Sequence, residues 1–199
     1  VPEGAVPESA VAGLSAVATA FHYLNRVVNV FLDPQPLPPP ARGLTAARAV
    51  LGRVLRPGPD VTPGASLPLL DATGDDVLDA VGRTIDAAAA DVVPDRVRGL
   101  VARQVAEWDG TSPALGPAWL DGPLAELSEV DRPAGRLALL TAKASYRVTD
   151  EDVADVRALG ADDRALVTVV SWAAWTAAAA LAPRTAREEK TPAVAGGDD

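Results

Sequence analysis

The chain has 199 residues, 27 acidic against 18 basic side chains, a formal net charge of −9, one histidine and no cysteine. That length supports a full hydrophobic core, while the missing cysteine excludes a disulfide framework, a thiolate metal site and a cysteine nucleophile within it. The acidic balance argues against a phosphate backbone as partner, and a lone His22 argues against a histidine metal cluster or a Ser-His-Asp triad.

Alanine supplies 40 residues, glycine 16 and proline 18. Alanine has the lowest cost in a helix and Pro and Gly punctuate, so the composition predicts Ala-rich helices separated by Pro/Gly loops. The chain begins VPEGAVPES, which is neither a signal peptide nor a basic targeting segment. A cytoplasmic protein that binds no nucleic acid, no membrane and no cofactor is the expectation.

The first predicted helix opens at Pro7-Glu8-Ser9 and runs to about Leu32. Val11, Leu14, Val17, Ala18, Phe21, Leu24, Val28, Phe31 and Leu32 recur at helical spacing as a broad apolar face. Ser15, Thr19, His22, Arg26 and Asn29 follow one another at i, i+4, i+7, i+11 and i+14, a narrow polar stripe. The prolines of Asp33–Pro40 then stop the helix. Ala41 to Arg56 reads as a short basic amphipathic helix, and Arg56 to Leu70 as a long loop packed as a covering arm.

Thr73-Gly-Asp-Asp76 predicts the next helix start, with Val77, Leu78, Val81, Ile85 and Val92 on its buried face. Pro94 suits the first turn of another helix, backed by Val97, Leu100, Val101, Val105 and Trp108. Asp109 to Pro123 reads as a loop whose Trp119 docks on the core. A helix follows from Pro133 to Ser145. Thr149-Asp-Glu-Asp152 has the capping-box pattern, and that helix is expected to stop at Gly160. The last helix, capped by Asp162 or Asp163 and running to about Ala182, is apolar nearly all round. It reads as the buried central helix in preference to a membrane span, because no basic flank precedes it. Pro183 to Asp199 reads as a disordered tail. No strand is predicted, so the fold class is all-α. The domain spans 1–182 with a 33–72 linker region, middle helices over 73–145 and a helix-Gly-helix unit over 146–182.

Candidate chemistry concentrates in AFHYLNRVVNVF, Ala20 to Phe31. His22, Tyr23, Asn25, Arg26 and Asn29 there could wall a pocket: His22 to move a proton near neutral pH, Arg26 to hold an anion, Tyr23 and Asn25 to orient a substrate. The same stripe also fits a solvated face or a polar seam between helices. Asp75-Asp76, Asp150-Glu151-Asp152 and Asp162-Asp163 each sit where a helix begins, which assigns them to capping and the helix dipole and away from metal binding. Trp172 and Trp175 read as core.

Two stretches carry a family resemblance: AVAGLSAVATAFHYLNRVVNVFLDPQPLP, with its Phe21, Tyr23, Asn25 and Arg26, and YRVTDEDVADVRALGADDRALVTVVSWAAW, Tyr146 to Trp175. Both resemble the alkylhydroperoxidase D-like / carboxymuconolactone decarboxylase-like superfamily. The resemblance implies an orthogonal helical bundle with a degenerate internal duplication, a usually homo-oligomeric assembly, and kinship with peroxide-reducing oxidoreductases. Active members use a Cys-x-x-Cys-x-x-x-His motif, which no position here matches. The resemblance therefore implies a thiol helix preceding Val1 in a longer protein, and a chain without thiol-dependent turnover of its own. The alternative is a non-catalytic helical oligomerisation or interaction subunit.

Overall fold

A computed structural model describes residues 8–32 and 74–188, and every regular element in them is helical. They are α1 (Glu8–Phe31), α2 (Gly74–Ala90), α3 (Asp95–Ala106), α4 (Ala118–Ala125), α5 (Arg132–Ala144), a 3-10 turn (Ser145–Arg147), α6 (Asp150–Ala158) and α7 (Asp163–Glu188). The all-α reading of the sequence holds. The short basic helix and covering arm read over residues 41–70 lie outside the described residues.

The helix boundaries follow local chemistry. Thr149 and Asp152 close a reciprocal capping box at the start of α6: the Asp152 amide donates to the Thr149 hydroxyl, and the Thr149 amide donates to the Asp152 carboxylate at 2.8 Å. Gly160, at φ +94°, ends that segment in the left-handed region that only glycine enters without strain. Asp162 then accepts from the Ala165 amide at 2.7 Å and caps α7.

Two boundaries depart from the sequence reading. Residues 118–123, read as loop, belong to α4, which tolerates Pro123 in its interior. The Pro/Gly signal was outweighed by burial: Leu120 is buried and Trp119 packs against the core from this short helix. At the other end α7 continues to Glu188, six residues past the expected stop near Ala182 and into the segment read as tail.

Helix α7 is the centre of the bundle. Leu166, Val169, Val170, Trp172, Ala173 and Ala177 are all buried, and α1, α2, α3, α5 and α6 pack around it. Its Asp163–Leu181 stretch is long and apolar enough to cross a membrane, and half of that stretch is covered by the other helices. Helix α5 forms the second buried layer through Leu137, Ala138, Leu139, Leu140 and Ala142. Small side chains allow close approach. Gly82 of α2 lies so near Trp175 that a Cβ there would stand 2.8 Å from the indole nitrogen.

The most extensive helix pairing is α1 with α7, and it inverts the expected orientation of α1. Val17, Phe21, Leu24, Val28, Phe31 and Leu32, read as the buried face, are exposed. The polar stripe lies toward the bundle instead, with Ser15, His22 and Arg26 half-buried and Asn29 exposed at its end. Thr19 is buried, with its hydroxyl donating back to the Ser15 carbonyl at 2.8 Å, and Val27 and Val30 beside the stripe supply the apolar contact with the core.

Candidate functional site

The polar stripe of α1 runs into the end of α5. The last four carbonyls of any α-helix lack intrahelical partners and carry the negative end of the helix dipole. Helix α5 ends at Ala144, so the Ala142 carbonyl is one of these. Arg26 supplies the missing donor: its Nε donates to the Ala142 oxygen at 2.9 Å. One of its terminal nitrogens donates to the His22 carbonyl, one turn back in its own helix, also at 2.9 Å. One turn further on, Asn29 Nδ2 donates to Ser145 Oγ at 3.0 Å, in the 3-10 turn that continues α5. Two residues of the stripe thus cap and anchor the C-terminal end of α5.

The other residues singled out in the sequence take separate places. Tyr23 meets Trp175 of α7 edge to face, with ring centroids 5.8 Å apart and planes at 74°. His22 is half-buried with its ring edge-on to Phe21, and Asn25 is exposed. The five residues therefore do not converge on one cavity. Arg26 and Asn29 share the seam with α5, Tyr23 belongs to the contact with α7, and Asn25 faces outward.

Around Arg26 the fold assembles residues that sequence reasoning did not select. The guanidinium lies 5.9 Å from the centroid of the Trp108 ring, at the end of α3. Lys143 Nζ lies at the same 5.9 Å distance from Trp108 and also 5.9 Å from Trp119 of α4. It donates to the backbone carbonyl of Gln104 at 3.2 Å and to its side-chain oxygen at 3.4 Å. Trp108 itself donates its indole N–H to the Thr111 carbonyl at 2.6 Å. Trp119 has a buried indole nitrogen with no acceptor among the described residues. A clue was present: Lys143 is one of two lysines in the chain and stands in an otherwise apolar helical run. Its partners Gln104 and Trp108 lie more than 30 residues away in sequence, and only tertiary packing unites them.

The electrostatics follow from burial. Desolvation holds the Lys143 ammonium below the ordinary lysine pKa, and Glu107 and Asp109 oppose that shift. Burial also lowers the pKa of Arg26. His22 is pushed below the ordinary histidine value, first by burial and then by the positive charge of Arg26. Arg147 braces the loop before α4, donating to the carbonyls of Ala114 at 2.8 Å and Pro113 at 2.9 Å. Among the described residues no group of three His, Asp or Glu side chains is placed to hold a metal ion. Asp152 and Asp162, from the acidic clusters, act as helix caps.

What the arrangement does chemically is to satisfy backbone carbonyls and dock α1. Arg26, Asn29 and Lys143 spend hydrogen bonds on the end of α5, the turn after it and Gln104, the geometry of a seam between helices.

No family model matches the chain, and no solved structure matches it. Among curated proteins it is 34% identical, over 175 aligned residues, to an alkyl hydroperoxide reductase of Mycobacterium tuberculosis. The alignment covers 81% of this chain and 51% of that protein, so the chain spans about half the length of its relative. Over four fifths of its length the chain is thus a relative of an alkyl hydroperoxide reductase, which bears out the alkylhydroperoxidase D-like resemblance carried by its sequence.

Proposed function

We propose that this chain is a thiol-free, alkylhydroperoxidase-like helical domain, related to peroxide-reducing oxidoreductases but without thiol-dependent turnover of its own. The observation that carries this reading is the absence of cysteine from all 199 residues. Thiol-dependent reduction of a hydroperoxide needs a thiolate to attack the peroxide oxygen, and the chain holds none. His22 and Arg26, which could have served proton transfer and anion binding, support the same reading. Arg26 is committed to the end of α5, and His22 lies beside it with its pKa lowered. The domain contributes structure to a peroxide-related protein, and any thiol chemistry is carried by a segment outside this chain.

The test is a hydroperoxide-consumption assay on the purified chain with a dithiol reductant. The expected rate equals that of the reductant alone. Turnover that scales with the chain's concentration would overturn the proposal. The variants His22→Ala and Arg26→Ala add a second readout. Loss of ligand binding or activity with unchanged thermal stability would mark a working site, and loss of stability alone marks a seam.

A further inference from the structure

Helix α1 presents outward a stripe that a soluble helix ordinarily hides. Val17, Phe21, Leu24, Val28, Phe31 and Leu32 are between 39% and 69% exposed. The first five are spaced alternately four and three residues apart. That is the narrow seam by which one helix meets a single partner helix, and a helix facing its own core carries a wider stripe. The six side chains expose on the order of 600 Å² of apolar surface, at the top of the range for the largest patch on a monomer. Covered completely on both copies, two such faces bury at most roughly 1,200 Å², which places the contact at the small end of specific interfaces.

We propose that the occupant of this stripe is the same stripe of a second copy, the two α1 helices pairing antiparallel about a two-fold axis at Leu24. Charge supports a second copy as the occupant. The chain carries a net charge of −9, yet from Val17 to Phe31, the span that pairs, its one charged residue is Arg26, which is turned away to the Ala142 carbonyl, so two copies meet there without like-charge repulsion. Nor does the stripe offer anything to select a charged partner. Side-chain volume sets the direction. Reversed about Leu24, Val17 faces Phe31, Phe21 comes within one residue of Val28 and Leu24 faces its own mate, so each large ring meets a small side chain and the layers match in volume. In parallel register Phe would meet Phe and Val would meet Val, leaving crowded layers beside loose ones.

The experiment is sedimentation equilibrium of the full chain across a dilution series, joined to single-cysteine cross-linking, for which the cysteine-free sequence provides a clean background. The wild type is expected to be dimeric. Leu24→Glu is expected to be monomeric with unchanged helical circular dichroism. Under mild oxidation Leu24→Cys should link to itself. Val17→Cys should not, but should link to Phe31→Cys when the two variants are mixed. A monomeric wild type at every concentration would overturn the proposal, as it would if residues 33–73 or a further segment of a longer protein cover the stripe. Self-linking of Val17→Cys would overturn the antiparallel arrangement.

Discussion

Removing the Arg26 side chain tests the capping of α5 by α1. In Arg26→Ala the Ala142 carbonyl loses its donor at the negative end of α5. A hydrogen bond from a charged group to a buried acceptor contributes about 1.5–3 kcal/mol. The guanidinium's contact with the Trp108 ring adds about 0.5–1 kcal/mol. The bond to the His22 carbonyl adds little, because an i to i−4 backbone bond already pairs that carbonyl within α1. The dipole contribution overlaps with the first figure and is not counted again. The expected loss is therefore about 2–4 kcal/mol, a fall in Tm of roughly 5–15 °C for a domain of this size. Arg26→Lys keeps the charge but loses the planar donor, so it should recover less than half of that loss. Thermal unfolding by circular dichroism at one fixed protein concentration is the assay, because dimer formation would make Tm depend on concentration. A change below about 1 °C for Arg26→Ala would refute the claim that α1 is docked through this contact.

Two further substitutions test the packing and capping described above. Gly82→Ala in an ordinary exposed helix would stabilise by up to about 1 kcal/mol. Here the new methyl group would stand 2.8 Å from the Trp175 indole nitrogen, so chemical denaturation should show a loss of about 1–3 kcal/mol instead. Burial raises the pKa of Asp152, but the Thr149 amide, Arg136 and the Thr149 hydroxyl outweigh it and hold the carboxyl below its ordinary value. Its contribution is therefore complete above the unfolded-state pKa and is lost as pH falls through the lower folded-state pKa. Asp152→Asn places an amide where one carboxylate oxygen accepts from Arg136 Nε at 2.6 Å or the other accepts from Thr149, and should cost about 1–3 kcal/mol at neutral pH. That difference should shrink in acid-unfolding curves run below the folded-state pKa of Asp152.

The sequence made the helices legible where local chemistry sets them. Pro94, the Thr149–Asp152 box, Gly160 and Asp162 mark their boundaries in the primary structure, and the chain folds at those points as they dictate. Helix α4 was hidden because its stability comes from the docking of Trp119 and Leu120, which outweighs the Pro and Gly signals around it. The orientation of α1 was hidden for a related reason. Periodicity separates an apolar face from a polar one but does not say which meets the bundle. The deciding groups are the orphan carbonyl of Ala142 and the hydroxyl of Ser145, which belong to another helix end more than 100 residues away. For the same reason Arg26 and Asn29 could be picked out as a polar row, but Lys143, Trp108 and Gln104 could not be seen as their surroundings.

The inward turn of the polar row is most directly tested by proton NMR titration of His22, whose imidazole signals stand alone because the chain has one histidine. Burial and the Arg26 charge both disfavour the imidazolium, so its pKa should lie below the ordinary value of 6.5. By linkage, folding stability should then decline as pH falls through 6.5 toward the folded-state value, and it should level off below that value. Arg26→Gln should move the titration part of the way back up and leave the contribution of burial in place. A His22 that titrates at or above 6.5 and does not respond to Arg26→Gln would contradict the account.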